Sequence, residues 1–265
     1  MISEKASIHP DARIGANVSI DPFTTIYGDV VIGDGTWIGS NVTIYDGARI
    51  GENCLIFPGA VISAIPQDLK YQGEKTTAEI GDNTTIRECV TINKGTNALG
   101  KTVVGNDCLL MAYVHIAHDC VLGNHVILAN SVNLAGHVTI EDWAILEGYV
   151  GVSQFIRIGA HSFVAGKSGV RKDVPPFVKA AREPLSFAGV NAVGLRRRGF
   201  TTEEVQDVQE AYRIIYQKGF AINKAISIVE TELPSSNCRD SIIAFITAAQ
   251  KGVIKGYDGL GGDDD

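Results

Sequence analysis

Residues 6–32 read ASIHPDARIGANVSIDPFTTIYGDVVI, and isoleucine stands at every sixth position from Ile8 onward. The same spacing continues without a break to Ile62, which makes ten isoleucines in register. A small or β-branched residue stands two positions before each isoleucine, and glycine, asparagine and aspartate are frequent in the intervening turns. This six-residue period predicts a parallel β-helix, in which each hexad supplies one short strand and one turn.

The outward-facing residues show how many hexads make one coil. The repeat resumes at Ile80 and, after a second interruption, runs from Val104 to Val170. Stepped by eighteen, the residues just before the aliphatic positions sort into three columns, of which only one is uniformly apolar: Leu109, Ile127, Ile145 and Phe163. Three hexads per coil predict a three-sided prism of about eight coils, roughly 40 Å long at a strand spacing of ~4.8 Å. The apolar column predicts a self-association face in a closed oligomer.

The composition is that of an ordinary globular protein. The chain has 265 residues, 45% of them hydrophobic and 20% charged, and a net charge of -7. An acidic surface of this kind does not favour nucleic-acid binding. The start of the chain lacks the basic and apolar regions of a signal peptide, and no stretch approaches eighteen apolar residues. Cys54, Cys108 and Cys120 fall at small inward positions, as expected of buried reduced thiols. We therefore expect a cytoplasmic protein without a transmembrane segment.

Breaks in the period suggest the domain organisation. We expect a β-helix over residues 1–176, with external loops at 64–77 and 96–101, ending at the sequence DVPP. Residues 177–199 are expected to form an irregular connector. From residue 200 the apolar spacing becomes helical, which predicts a C-terminal helical domain over 200–265. Its last residues, 259–265, read GLGGDDD and are predicted to be disordered.

The register predicts one patch of titratable groups. Residues eighteen apart lie above one another in the prism, so His118, Gly136 and Gln154 form one column at a corner. Asp119 and His137 form the neighbouring column. With His115 on the strand that leads into this corner, the patch contains His115, His118, Asp119, His137 and Gln154.

This patch suggests acid–base chemistry on a hydroxyl group. An imidazole beside a carboxylate is an oriented general base, and the backbone N–H of Gly136 is an approachable donor for an oxyanion. Transfer of an acyl group from a thioester to a hydroxyl needs no covalent nucleophile on the protein. Two alternatives remain open. His115, His118 and His137 could hold zinc, as in hexapeptide-repeat carbonic anhydrases, or the prism could be a scaffold without chemistry.

Six motifs bear a resemblance to one enzyme family. They are IPQDLKY (65–71), IRECVTINKGT (86–96), HIAHDCVLGN (115–124), LAGHV (134–138), QF-x-x-IGAH (154–161) and GLRRRGF (194–200). Together they resemble the UDP-N-acetylglucosamine 3-O-acyltransferases, which begin lipid A biosynthesis. The resemblance covers essentially the whole chain. It implies a left-handed β-helix, a homotrimer with clefts between subunits, and no cofactor or metal. The implied reaction moves an (R)-3-hydroxyacyl chain from acyl carrier protein to the glucosamine 3-hydroxyl of UDP-N-acetylglucosamine.

The resemblance also implies roles for individual residues. His118 matches the general base, Asp119 its orienting partner and Gly136 the oxyanion donor. The matches to substrate contacts are Asp68, Lys70, His115, His137, Gln154, Asn191, Arg197 and Arg198. Gly166 matches the position that limits acyl chain length. The later N-acyltransferase of the same pathway is a related alternative, but it usually carries a domain before the repeats, whereas the repeat begins here by residue 6.

Overall fold

The structure is a computed structural model that describes residues 1–256. The predicted disordered tail at 259–265 lies outside the described residues. The strands of the repeat are two to four residues long. In chain order they are β1 (Ser7–Ile8), β2 (Arg13–Ile14), β3 (Ser19–Ile20), β4 (Thr25–Ile26), β5 (Val31–Ile32), β6 (Trp37–Ile38), β7 (Thr43–Ile44), β8 (Ala48–Ile50), β9 (Leu55–Ile56), β10 (Val61–Ala64), β11 (Thr77–Ile80), β12 (Thr85–Ile86), β13 (Thr91–Asn93), β14 (Lys101–Val104), β15 (Leu109–Leu110), β16 (His115–Ile116), β17 (Val121–Leu122), β18 (Ile127–Leu128), β19 (Asn133–Leu134), β20 (Thr139–Ile140), β21 (Ile145–Leu146), β22 (Gly151–Val152), β23 (Arg157–Ile158), β24 (Phe163–Val164) and β25 (Gly169–Val170).

Each strand from β1 to β22 pairs in parallel with the strand three places further along the chain. Within residues 1–256 this pairing produces three sheets, and these are the faces of a left-handed parallel β-helix. The first face begins at β1 and ends at β25, the second runs from β2 to β23, and the third begins at β3. Ile127 is aligned with Leu109 on one side and Ile145 on the other, all on the third face. The prediction of three hexads per coil is therefore confirmed.

The inward residues stack into the core of the prism. The repeated isoleucines, such as Ile38 and Ile56, are fully buried, and burial of such a side chain stabilises the fold by about 1.5–3 kcal/mol. The smaller inward residues hydrogen-bond to the backbone of the neighbouring coil. The thiol of Cys120 donates to the carbonyl of Ala135 at 3.2 Å, and the hydroxyl of Thr24 donates to that of Gly39 at 2.7 Å. Burial raises the pKa of Cys120 to about 12, so its thiol stays protonated.

Two excursions leave the prism. The longer one lies between the end of β10 at Ala64 and the start of β11 at Thr77. The shorter one lies between the end of β13 at Asn93 and the start of β14 at Lys101. Both leave the first face, and β13 follows β10 directly in that sheet. The two excursions therefore emerge from adjacent coils on the same side of the molecule.

The irregular connector predicted over 177–199 is wrong. That segment contains β26 (Val178–Ala181), β27 (Ser186–Val190) and helix α1 (Ala192–Arg197). Strand β26 extends the third face beyond β24 and pairs antiparallel with β27, and a further strand, β28 (Lys255–Gly256), pairs with β27. A reversal of chain direction ends the eighteen-residue register, so the hexad pattern does not reveal these strands.

Three longer helices follow. They are α2 (Thr202–Gln217), α3 (Ile222–Glu232) and α4 (Asn237–Thr247). The hydroxyl of Thr201 accepts from the amide of Glu204, whose carboxylate accepts from the amide of Thr201, and this capping box starts α2. In residues 1–256, no helix is both long and apolar enough to cross a membrane.

Candidate active site

The turns that follow the strands of the first face form one edge of the prism, here called the first corner. Asp119, His137 and Phe155 occupy equivalent turn positions there in consecutive coils, each with a positive φ. The amide of His137 donates to the carbonyl of His118 at 3.1 Å, and the amide of Phe155 donates to that of Gly136 at 3.3 Å. The columns predicted from the register therefore lie side by side at this corner.

His118 and Asp119 form a buried pair. The Nδ1 atom of His118 lies 2.8 Å from Oδ2 of Asp119, and their side chains are 7% and 0% exposed. Because an ionised carboxylate only accepts hydrogen bonds, Nδ1 must carry the proton of a neutral His118 ring, which leaves the lone pair on Nε2. Nε2 faces Oδ2 of Asp68 at 3.9 Å. The pair thus presents an unprotonated imidazole nitrogen to the space beside Asp68.

The Asp119 carboxylate is held by the shorter excursion as well as by His118. Oδ1 accepts from the amides of Thr96 and Leu99, and Oδ2 accepts from the Thr96 hydroxyl. Burial acts to raise the pKa of Asp119, but the hydrogen bonds from Thr96 and His118 outweigh it, and the pKa is lowered. Asp119 is therefore a carboxylate at neutral pH. The hexad register does not predict the contact between Thr96 and Asp119. The two residues are 23 positions apart, and not eighteen, because the excursion interrupts the register.

Gly136 brings its backbone against the ring of His118. A Cβ at this position would lie 2.6 Å from Cε1 and 2.7 Å from Nε2 of His118, closer than real contacts permit. The Gly136 amide donates to none of the hydrogen-bond acceptors within residues 1–256. Glycine therefore leaves room for the imidazole and leaves an N–H beside it for a ligand.

The other two histidines of the patch line the same region. The Nδ1 atom of His115 lies 2.7 Å from the hydroxyl of Thr91, and burial lowers the pKa of His115. The ring of His137 stacks on Phe155 with centroids 4.5 Å apart, and its Nε2 lies 3.9 Å from Oδ2 of Asp119. The centroids of the His118 and His137 rings are 5.1 Å apart.

The longer excursion closes the site from outside. A cavity of about 350 Å³ lies between the two excursions and is lined by Asp68, Lys70, Thr96 and His137, among others. The carboxylate of Asp68 accepts from the amide of Lys70 at 3.0 Å, which shapes this part of the loop. Gln154 is exposed in the turn one coil beyond Gly136.

Other residues singled out from the sequence lie elsewhere in the same chain. Asn191 caps α1, and its Nδ2 donates to the carbonyl of His161 at 2.9 Å. Arg197 is exposed at the end of α1, whereas the guanidinium of Arg198 is half-buried. Gly166 is exposed near the third face, where its amide donates to Glu147. One chain by itself does not bring these residues to His118.

An aromatic stack that the sequence analysis missed occupies the edge between the second and third faces, here called the second corner. His125, Trp143, His161 and Phe177 follow one another there in consecutive coils, with neighbouring rings stacked. The guanidinium of Arg198 lies over the Trp143 ring, 5.3 Å from its centroid, and 3.4 Å from Nδ1 of His161. Arg198 is therefore anchored at the second corner. The sequence signal of the stack was the eighteen-residue spacing of His125, Trp143 and His161, whereas Phe177 follows His161 by sixteen residues.

The site has three side chains that could share a metal ion. Among the described residues, the group with ligand atoms close enough together is His118, Asp119 and His137, which leaves out His115. Each carboxylate oxygen of Asp119 already accepts two hydrogen bonds, and Nδ1 of His118 donates one of these four. A metal bound to Asp119 would have to displace these donors. The arrangement fits an oriented base better than the three-histidine zinc site considered above.

Sequence comparisons identify two families of known proteins. A family described as UDP-N-acetylglucosamine O-acyltransferase, domain 2, matches residues 173–254, and the bacterial transferase hexapeptide family matches 11–44, 29–64 and 101–136. An acyl-[acyl-carrier-protein]–UDP-N-acetylglucosamine O-acyltransferase from Chlorobaculum tepidum is 55% identical over 177 residues, which are 66% of this chain and 67% of the relative. One from a Janthinobacterium species is 44% identical over 199 residues, 73% of this chain and 76% of the relative.

Solved structures agree over a larger share of the chain. A UDP-N-acetylglucosamine acyltransferase from Bacteroides fragilis has a TM-score of 0.95 and 50% identity, and the match covers 96% of this chain and all 100% of that one. The Arabidopsis enzyme has a TM-score of 0.84 and 33% identity, with 96% and 100% covered. The similarity therefore includes the helices as well as the prism.

Proposed function

The chain belongs to the acyl-[acyl-carrier-protein]–UDP-N-acetylglucosamine O-acyltransferases, and we propose that it transfers an (R)-3-hydroxyacyl chain to the 3-hydroxyl of UDP-N-acetylglucosamine. The donor is an acyl carrier protein, and the reaction is the first step of lipid A biosynthesis. The observation that carries the mechanism is the buried His118–Asp119 pair, in which Nε2 of His118 faces the Asp68 carboxylate at 3.9 Å.

The first step is attack of the sugar hydroxyl on the thioester carbonyl. Nε2 of His118 takes the hydroxyl proton while the new C–O bond forms, because a neutral hydroxyl is a weak nucleophile. The ring becomes an imidazolium, and the adjacent Asp119 carboxylate stabilises it without taking its Nδ1 proton. The amide of Gly136 donates to the oxyanion of the tetrahedral intermediate, a contribution of about 3–4 kcal/mol where such a donor has been removed elsewhere.

The second step releases the carrier. The tetrahedral intermediate collapses, the C–S bond breaks, and the thiolate of the carrier's pantetheine arm leaves. Nε2 of His118 returns its proton to that sulfur, so the base is neutral again and the carrier leaves as a thiol. No covalent intermediate on the protein is needed, since the sugar oxygen attacks the donor directly.

A trough on the first face suits the carrier's extended arm. The outward residues beyond His115 are Asn133, Gly151 and Gly169, and a Cβ on either glycine would meet nothing within 4 Å. The trough rises three coils, about 14 Å at the usual strand spacing. It ends at a cavity of about 580 Å³ whose lining has three basic residues, Arg171, Lys172 and Lys255, and one acidic residue, Glu183. A cationic mouth on a net-acidic protein complements an acidic carrier.

The active protein is proposed to be a homotrimer with its sites between subunits. The column Leu109, Ile127, Ile145 and Phe163 leaves an apolar strip on the third face that association would cover. Asn191 and Arg198, two of the expected substrate contacts, lie at the second corner, whereas His118 lies at the first. A neighbouring subunit is needed to bring the two sets together.

The test is an assay of the purified protein with UDP-N-acetylglucosamine and a series of 3-hydroxyacyl carrier proteins, with and without a chelator. We expect transfer that survives the chelator and is lost in His118→Ala. The control is His9→Ala, which removes an exposed histidine from the first coil of the prism and should keep activity. Activity retained in His118→Ala, or lost on chelation, would overturn the mechanism. Absence of transfer with every donor would overturn the proposed reaction.

A further inference from the structure

The shorter excursion, between Asn93 and Lys101, contacts the Asp119 carboxylate directly. Its residue Thr96 is buried and donates twice to the Asp119 carboxylate, from the amide to Oδ1 at 3.0 Å and from the hydroxyl to Oδ2 at 2.6 Å. The same excursion adds the amide of Leu99, which donates to Oδ1 at 3.2 Å. Three of the four hydrogen bonds to this carboxylate therefore come from the excursion.

The hydroxyl of Thr96 matters more than the amides because of the atom it reaches. Oδ2 of Asp119 accepts from both the Thr96 hydroxyl and Nδ1 of His118. A carboxylate held only at Oδ1 could rotate and move Oδ2 away from the imidazole. With Thr96 in place, Oδ2 has one position, and the ring of His118 has one tautomer and one orientation.

The backbone beneath Asp119 is anchored separately. Asp119 has a φ of 59°, and its amide donates to the hydroxyl of Thr102 at 2.9 Å. Thr102 therefore holds the main chain of the turn, whereas Thr96 holds the carboxylate. Loss of the Thr96 hydroxyl should leave the fold of the corner in place and disturb only the side-chain pair.

We propose that Thr96 is a positioning residue for the acyl transfer: its hydroxyl fixes Oδ2 of Asp119 so that the carboxylate orients the general base His118. Thr96 acts through Asp119 and does not touch the substrate in this mechanism. The inference rests on the proposed function, in which Nε2 of His118 removes the proton of the sugar hydroxyl. The shorter excursion is thereby part of the catalytic machinery and more than a surface insertion.

The test compares Thr96→Val, which keeps the shape and removes the hydroxyl, with Thr96→Ser, which restores it. The control is Thr84→Val. Thr84 is also buried. Its hydroxyl donates to the carbonyl of Gly105 and accepts from the amide of Cys108, and neither of these groups is hydrogen-bonded to Asp119. Steady-state kinetics, melting temperature and the pH profile of kcat/KM are measured for all three variants.

We expect Thr96→Val to lower kcat about 10- to 100-fold, the usual cost of removing a group that orients a histidine through its partner. KM for UDP-N-acetylglucosamine should change less than about threefold, because the substrate contacts remain. The acid limb of the kcat/KM profile should move to lower pH, since a misplaced carboxylate stabilises the imidazolium less. Thr96→Ser should recover most of kcat, and Thr84→Val should lower the melting temperature while leaving kcat and the profile unchanged.

The inference is overturned if Thr96→Val keeps the wild-type kcat and pH profile. It is also overturned if Thr96→Val and Thr84→Val lose activity equally and only in proportion to their melting temperatures. Either result leaves the proposed function standing as long as His118→Ala is inactive. Activity in His118→Ala would instead remove the base on which both proposals depend, so the two failures are distinguishable.

Discussion

The imidazole of His118 lies in the space that a side chain at Gly136 would occupy. A Cβ on Gly136 would come within 2.6 Å of Cε1 of the ring, and the two residues are exactly one coil apart in the prism. The same glycine leaves its amide without a partner among the described residues. One backbone position thus provides both the room for the base and the donor for the oxyanion.

Gly136→Ala is therefore expected to inactivate the protein without unfolding it. The added methyl must push the His118 ring away from Asp119, and kcat should fall at least about 100-fold, as for loss of an oriented base. The melting temperature and kcat are measured together. The matched control is Gly33→Ala, where the new Cβ would lie 2.6 Å from the backbone of Gly51 in the N-terminal coils, so it should cost stability and keep kcat. Normal activity in Gly136→Ala would show that the close approach has no catalytic role.

The apolar column of the third face makes a prediction about assembly. Ile127→Glu combined with Ile145→Glu places two charges on the strip proposed to lie between subunits, and burial of an unpaired charge costs several kcal/mol. We expect the double variant to sediment as a smaller species than the wild type. Thr139→Glu, on the second face, is the control and should sediment normally. An unchanged mass for the double variant would refute the assembly through this face.

His161 predicts a change of stability with pH. Burial, followed by the nearby Arg198, lowers the pKa of His161 to about 4, although Asp142 acts in the opposite direction. Between pH ~6.5 and ~4 the unfolded chain takes up a proton that the folded chain does not, so the free energy of unfolding falls as pH falls. After allowance for solvent screening at this half-buried site, the loss should be about 2 kcal/mol.

The check is chemical denaturation of the wild type and His161→Gln at pH 7.5 and pH 4.5. We expect the wild type to lose more stability than the variant over this interval, because glutamine does not titrate. Equal losses in the two proteins would mean that His161 is protonated equally in the folded and unfolded states.

A buried hydroxyl joins the helices to the end of the prism. The hydroxyl of Tyr212, in α2, donates to the carbonyl of Pro176 at 2.6 Å. Tyr212→Phe leaves that carbonyl unsatisfied and should lower the free energy of unfolding by about 1–2 kcal/mol. Tyr216 is the matched control, since its buried hydroxyl has no hydrogen-bond partner within the described chain. Tyr216→Phe should therefore be neutral or slightly stabilising, and an equal loss in both variants would contradict this assignment.

Much of the candidate site could be read from the sequence because a solenoid is nearly one-dimensional. Once three hexads make a coil, a residue's neighbours in the adjacent coils are eighteen positions away. The proximity of His118, Gly136 and Asp119 could therefore be predicted from the sequence alone. The identity of the reaction needed more, since a base beside a carboxylate serves many chemistries. The motifs and the comparisons with known acyltransferases supply that step.

Where the register is interrupted, only the tertiary structure could decide. Thr96 reaches Asp119 across 23 residues, because the excursion has its own length and its own path. The strands over 177–190 were invisible to the hexad pattern because β27 runs antiparallel to β26 and has no eighteen-residue partner. The sequence by itself determined the prism, its three faces and the column that carries the base. In a repeat of fixed period, the spacing along the chain sets which residues lie next to one another in space. The tertiary structure decided which donors hold the Asp119 carboxylate and where Arg198 packs, because those contacts join segments that share no common period.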